Sequence, residues 1–383
     1  MATDQKPTKQ KPGKKSTKAD GKSKAKKSGK KKKESAKQKA MRDAAAKALA
    51  AKRARKDLTA DDLSKKDAKK AKQAAEDAAQ AGEDQAGAAA TVAEVMAAPA
   101  GEVADLLRVG PSFDLAGVDT RSTPGFAGGK DEGEAALLAG AEELSELQER
   151  LYAAAKSGDK RSVLLVVQGM DTAGKGGIVR HVVGSVDPQG VQLTAFKAPT
   201  PQERSKGFLW RIRQALPQAG YIGVFDRSHY EDVLVVRVKG LASKQVWARR
   251  YASINTFEKQ CAAKGITLVK VMLHISAQEQ HERLAERLER PDKYWKYRPG
   301  DLDDRALWPD FQEAYQDALT KCSTEIAPWY VVPADRKWYA RWAVQQLLLN
   351  ALRGIDPQWP QAGFDVEAEK EQLAGLDDVA EDD

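Results

Sequence analysis

The stretch that most constrains this chain is Val163-Leu-Leu-Val-Val-Gln-Gly-Met-Asp-Thr-Ala-Gly-Lys-Gly-Gly177, followed at once by Ile178-Val-Arg-His-Val-Val183. An apolar, valine-rich run that stops at a glycine-rich turn predicts a buried strand, and the residues after the turn carry helical spacing. Strand, flexible loop and helix in direct succession are the setting of a phosphate-binding loop. Gly169, four residues, then Gly174-Lys175 supplies the G-x-x-x-x-G-K spacing. Glycine lets backbone N–H groups turn inward around phosphate oxygens, and the following helix adds the positive end of its dipole. Gly169, Thr172, Ala173, Gly174, Gly176 and Gly177 are therefore read as a phosphate cradle. Lys175 is its mobile cation. One position departs from the pattern, because Gly176 stands where a Ser or Thr would ligate magnesium.

Further strands are expected over 191–196, 221–225, 266–275 and 329–332, with the first over 163–168. Helices are expected over 134–156, from about 201 to 216, and over 338–352. A glycine-rich turn is expected over 124–133. Strands alternating with helices imply an α/β fold, a parallel five-stranded sheet covered on both faces. In such sheets ligands sit at the carboxyl ends of the strands, where the first strand delivers the loop.

Chemistry-bearing residues gather at three further places. The third strand ends in Phe225-Asp226-Arg227-Ser228-His229-Tyr230-Glu231-Asp232. A carboxylate at the tip of a neighbouring strand is where phosphate-loop enzymes hold their metal, so Asp226 is a metal candidate and Arg227 a phosphate partner. Asp226 and Ser228 are also good helix caps, which is the plainer explanation for either alone. Next, Arg283, Arg287 and Arg290 recur at spacings of four and three, and Lys293, Lys296 and Arg298 continue the charge into an aromatic loop. Pairs such as Glu279–Arg283 would explain a solvated helix. They do not explain basic residues running on into the loop, which a lid over phosphates at about 283–310 does. Finally, Phe196, Lys197, Arg204, Arg211 and Arg213 lie between the second and third strands, near Phe208 and Trp210. Cations and flat rings together suit an acceptor nucleotide, although Phe208 and Trp210 are core candidates first.

Charge divides the chain sharply. Residues 1–60 hold 22 Lys or Arg against 5 Asp or Glu, a balance of +17, so the remainder carries −9 of the total +8. Residues 1–40 lack the large apolar side chains needed to offset ordering entropy and are expected to be disordered. They would either contact polyanions such as nucleic acid without sequence preference or simply solubilise the protein. An Ala/Lys/Asp/Glu-rich segment over 41–90 is expected to be at most a single exposed helix, 97–101 a linker, and 358–383 an acidic tail with a disordered tip. The expected organisation is thus a tail over 1–100, a catalytic domain over 101–357 and the acidic end. Two cysteines, Cys261 and Cys322, are too few for a disulfide framework. Neither a secretory leader nor a membrane span is expected, and the chain reads as cytoplasmic.

Taken together, Gly169-Met-Asp-Thr-Ala-Gly-Lys-Gly-Gly177, Phe225-Asp-Arg-Ser-His-Tyr-Glu-Asp-Val233 and Ala327-Pro-Trp-Tyr-Val-Val-Pro-Ala-Asp-Arg-Lys-Trp-Tyr339 resemble the polyphosphate kinase 2 family. The likeness runs from about 105 to 355. It implies a P-loop kinase of thymidylate-kinase-like fold that moves a phosphoryl group between inorganic polyphosphate and a nucleotide with Mg2+. By this resemblance Asp171 is a catalytic and metal-associated carboxylate, Lys175 the phosphate lysine, and Asp226 with Arg227 the second catalytic motif. Asp171 and Asp226 together would hold the metal that Gly176 cannot. Arg287, Arg290 and Lys293 fall in the lid and would contact polyphosphate. Glu231 would be a further acidic contributor near the metals, counted with Phe196, Lys197 and Arg211 among the nucleotide-binding candidates. Adenine nucleotides (AMP, ADP or both) are the implied acceptors, with guanine as the alternative base, and a dimer or tetramer is implied. An ATP-dependent kinase of the same fold and a nucleic-acid-associating protein acting through its tail are the competing readings.

Overall fold

The computed structural model describes residues 97–377, so the expectations for the basic tail, for 41–90 and for 378–383 lie outside the described residues. The elements that position the site are α1 (Ala100–Leu107), α2 (Lys130–Lys156), β1 (Ser162–Gly169), α3 (Lys175–His181), β2 (Val191–Ala195), β3 (Ile222–Asp226), α4 (Lys244–Ala262), β4 (Ile266–His274), α5 (Ala277–Glu289), α6 (Gly300–Ala306), α7 (Trp308–Cys322), β5 (Trp329–Pro333) and α8 (Lys337–Ile355). The strands form one parallel sheet in the order β2-β3-β1-β4-β5. β1 is buried along its whole length because it lies between two neighbours and under helices on both faces. Its place at the centre puts the glycine-rich loop at the middle of the sheet's carboxyl edge.

Helices α1, α2, α3 and α8 pack as one group, with α8 as the hub, while α4 and α7 pack together as another. Trp338, Trp342 and Phe126 interlock edge-to-face within the first group, with ring centroids 4.8 to 5.5 Å apart for the Phe126 contacts.

Three segments differ from the sequence reading. The expected linker over 97–101 is part of the fold, for Ala97 bridges Phe126 and α1 begins at Ala100, burying Val103 and Leu107 against α8. The expected turn over 124–133 ends early. α2 starts at Lys130, helped by the Glu132 carboxylate, which accepts from the Gly129 N–H at 3.1 Å. The helix expected over 201–216 is broken into Pro201–Arg204 and Trp210–Gln214. Thr200 and Glu203 cap the first piece reciprocally, at 3.2 and 2.7 Å, and the chain leaves the helix around Gly207. In the acidic end, Val366–Asp377 is helical, and its described side chains are exposed.

A cavity of about 570 Å³ lies where β4 runs into α5, lined by Asp114, Asp119, His274, Trp308 and Gln312 among others. His274 is buried there, and burial pushes its imidazole down to about 4 against the opposing pull of Asp335. The unfolded chain takes up a proton near pH 6.5, which the folded state refuses until about pH 4. Stability attributable to this residue is therefore full above pH 6.5 and lost progressively down to pH 4, by roughly 3 kcal/mol. Denaturant unfolding at pH 7 and pH 4.5 is expected to show a smaller acid-side loss for His274→Asn than for the unaltered protein.

Candidate active site

The loop after β1 is shaped by three residues in the left-handed half of backbone space. Gly169 has φ 151°, Thr172 φ 67° and Gly174 φ 114°. A Cβ at Gly169 would lie 2.7 Å from the Leu273 carbonyl oxygen and 2.9 Å from the Ala173 Cβ, so only glycine fits where β1 and β4 close on the loop. Gly176 is different, since a Cβ there would meet nothing within 4 Å. The absent hydroxyl is therefore not imposed by packing. Lys175 folds back over the loop and donates to the Gly169 and Met170 carbonyls at 2.7 and 3.2 Å.

β3 lies beside β1, and Asp226 is paired in register with Val167, two residues before Gly169. This adjacency carries the strand-three motif to the loop. Arg227, with φ 64°, donates to the Asp171 carboxylate at 3.4 Å. Asp171, Lys175, Arg227 and Glu231 line one cleft of about 40 Å³, together with Tyr315 from α7 and Asp304 from α6. That volume is on the order of a water molecule or two.

The charges in the cleft are mutually dependent. Burial opposes ionisation of Asp171, but Lys175 and Arg227 outweigh it and hold the carboxyl below its usual range. Burial pulls the Lys175 ammonium down, with Arg227 adding to the fall and Asp171, Asp226 and Glu231 opposing it. Burial pushes Glu231 up despite Arg227 and Lys175. Four groups of alternating sign thus share one desolvated place, as expected where phosphate charge is to be bound. Among the described residues no group of three or more His, Cys, Asp or Glu is placed to hold a metal ion. Magnesium needs fewer protein ligands, since it takes one or two carboxylates and completes its shell with phosphate oxygens and water. Asp171 and Asp226 have that donor chemistry.

The basic residues that follow β4 differ in their surroundings. Arg283 is buried, and its guanidinium donates to the carbonyls of Thr172 (2.8 Å), Ala173 (3.1 Å), Ala334 (2.6 Å) and Asp335 (3.1 Å) and to Glu279 (2.7 Å). It is a staple under the loop, so the residue at the lid's expected start is tied to the loop and to the residues just after β5. Arg287 and Arg298 both reach the buried Asp301 carboxylate, at 3.2 and 3.5 Å, and both act electrostatically on Asp171. Arg290 points outward and is engaged by Glu286 and Asp292 at 2.9 and 2.8 Å. Lys293 is half-buried, 4.0 Å from Asp292.

The acceptor candidates are more scattered. Phe196 is buried edge-on against Phe225, with the Arg211 guanidinium 5.4 Å from its ring centroid, so its ring belongs to the core. Arg211 also donates to the Lys197 carbonyl at 2.8 Å, while the Lys197 side chain is exposed. Trp210, expected in the core, is 37% exposed, because the break in the helix turns it outward.

Sequence spacing missed several contributors. Tyr315 and Gln280 come to the loop from distant helices; Gln280 donates to the Asp171 carbonyl at 3.3 Å. Arg180 on α3 and Arg341 on α8 make no hydrogen bond or ion pair among the described residues. Burial is the largest cause of the lowered proton affinity of both Arg341 and Lys296. Arg180 adds to the fall in each, against Glu134 at Arg341 and, after Lys293 and Arg287, against Asp292 at Lys296. A cationic helix face just past a phosphate loop was a readable signal for Arg180. Nothing in the sequence announced Arg341.

A family model described as polyphosphate kinase 2 matches residues 128–360. The chain belongs to the polyphosphate kinase 2 family. It is 47% identical over 249 residues to an AMP/ADP-polyphosphate phosphotransferase of Meiothermus ruber, covering 65% of this chain and 92% of that one. It is 39% identical over 264 residues to an ADP-polyphosphate phosphotransferase of Rhodopseudomonas palustris, covering 66% and 90%. Among solved structures, polyphosphate kinase 2 from Arthrobacter aurescens TC1 superposes with a TM-score of 0.71 at 57% identity, over 73% of this chain and 98% of that one. The three motifs quoted from the sequence all fall within residues 128–360, the span that the family model matches. Within the described residues no helix is long and apolar enough to cross a membrane.

Proposed function

We infer that the protein transfers a phosphoryl group between inorganic polyphosphate and an adenine nucleotide, AMP, ADP or both. The observation that carries this reading is the convergence of Asp171, Lys175, Arg227 and Glu231 on one cleft at the end of β1. The activities named for the relatives from Meiothermus ruber and Rhodopseudomonas palustris point the same way. A thymidylate-kinase-like arrangement is the finer fold assignment, supported by the central loop-bearing strand and by the Arg-rich segment that follows β4.

Phosphoryl transfer asks a protein mainly to align two oxygens and to neutralise charge on the group passing between them. Lys175 would swing from the loop carbonyls to the transferring phosphate. Arg227 would leave Asp171 to bind an equatorial oxygen, and Arg287 and Arg298 would close from the lid. Asp171 and Asp226 would hold Mg2+, whose contribution is to neutralise phosphate oxygens that two carboxylates would otherwise repel. Arg180, Lys296 and Arg341 make no direct ion pair among the described residues, with Glu134 acting on Arg341 and Asp292 on Lys296 only from beyond contact. Cations so loosely neutralised favour a polyanion over a small neutral substrate.

The test is direct. Protein supplied with polyphosphate, Mg2+ and AMP or ADP is expected to form ADP or ATP, read by chromatography of the nucleotides. A folded preparation that yields no new nucleotide, or that phosphorylates an acceptor only when ATP is the donor, would overturn the reading.

A further inference from the structure

We propose that Glu258 and Lys270 are positioning residues: a buried ion pair that fixes the turn after β3 and thereby holds Arg227 and Glu231 at the phosphate loop. The proposal rests on the active-site reading above. Lys270 occupies the middle of β4, between Val166 of β1 and Trp329 of β5, and is fully buried. An apolar side chain is the ordinary occupant of such a position, and a buried pair is weak support for stability compared with apolar groups of the same size. The ammonium therefore needs another reason.

Its contacts supply one. Lys270 Nζ donates to the Glu258 carboxylate at 2.6 Å, the Cys322 carbonyl at 2.7 Å and the Tyr230 hydroxyl at 2.9 Å. The other oxygen of Glu258 accepts from the Tyr230 hydroxyl at 2.8 Å and meets His229 Nε2 at 3.2 Å. Ser228 Oγ accepts from the Tyr230 N–H at 3.1 Å and from Gln168 Nε2 at 3.2 Å. Three consecutive side chains of the turn are thus anchored inward, and the residues on either side of them, Arg227 and Glu231, line the cleft. Arg227 adopts φ 64°, a conformation that a side chain of its size keeps only where its surroundings over-determine it. The rings of Tyr230 and Trp329, with centroids 5.4 and 5.2 Å from Lys270 Nζ, close the anchor against water.

Removing one charge strands the other, so Lys270→Met or Glu258→Leu alone is a poor probe. The double variant Lys270→Met/Glu258→Leu leaves no orphan charge but removes the anchor. It is expected to fold with a Tm lowered by several degrees, because the Tyr230 hydroxyl, His229 Nε2 and the Cys322 carbonyl lose partners. It is also expected to lose amide-exchange protection at 226–232 while α8 keeps its own, and to lower kcat about tenfold or more. KM for polyphosphate and nucleotide is expected to stay within about threefold, since the loop itself is intact. Lys270→Met/Glu258→Gln restores an acceptor for His229 and Tyr230, and is expected to recover most of both losses. Unchanged exchange at 226–232 in the Met/Leu variant, or an equal defect in the Met/Gln variant, would overturn the positioning role. Because exchange needs no substrate, a wild-type protein inactive toward polyphosphate would overturn the functional reading separately.

Discussion

Lys175→Met is expected to lower kcat for nucleotide phosphorylation by roughly 10²–10³-fold while leaving the fold intact. Lys175 is the one cation on the loop itself, and it reaches Gly169 and Met170 carbonyls at the mouth of the cleft that Asp171, Arg227 and Glu231 share. Methionine matches the length of the stem but has no charge to follow a phosphoryl group in flight. Burial already lowers the proton affinity of this ammonium, so its charged form is held at a cost that methionine removes. Tm is therefore expected to be unchanged or slightly raised, the usual sign of a residue kept for function rather than stability. Steady-state kinetics beside a thermal melt checks both parts. A kcat near that of the unaltered protein would take Lys175 out of the site.

Arg283→Met is expected to act in the opposite sense, costing stability first. Four backbone carbonyls and Glu279 lose their donor at once, inside the protein where water cannot replace it. Stranding a buried charge in this way costs about 3–5 kcal/mol, which for a domain of this size lowers Tm by roughly 10 °C. Activity is expected to fall as well, because the Thr172 and Ala173 carbonyls fix the loop that carries Lys175. Arg290, the residue just past the end of α5, is the control. It is 48% exposed and paired only at the surface, so Arg290→Ala is expected to leave Tm essentially unchanged. Melting curves of the two variants side by side decide whether the arginine stripe is one functional unit or two.

That contrast shows how far linear spacing reads. Arg283, Arg287 and Arg290 form one stripe by period, yet α5 turns Arg283 beneath the loop and Arg287 toward Asp301, and it ends at Glu289, leaving Arg290 on extended backbone toward solvent. Spacing gives the angle of a side chain around its helix but not what the helix lies against. The same limit explains Phe196 and Trp210. An aromatic-rich segment was legible; which ring faces the core depended on the break near Gly207. Glu258 and Lys270 were unreadable for a related reason, since a lysine in a strand and a glutamate in a helix become a pair only when the two elements pack.

Elements with strong local signals were read closely. The five strands were placed within a residue or two because apolar runs of that length, ended by turns, have few other stable fates. The glycine-rich turn between strand and helix was legible because its geometry is local: glycines reach positive φ wherever they stand in the chain, and the helix follows without a gap.

The sequence alone therefore determined the alternating α/β plan, the loop at Gly169–Lys175 and the acidic motif at Asp226–Glu231, all of which arise from contacts between near neighbours. Tertiary structure decided the rest. Setting β3 and β4 on either side of β1 brought Asp226 into register with Val167 and made Arg227 and Asp171 partners across 56 residues. Packing α5 beneath the loop made Arg283 a staple, and packing α4 on β4 buried Glu258 against Lys270. Strand order and helix docking are set by the burial of whole apolar faces, a property of the assembled chain that no single stretch of residues contains.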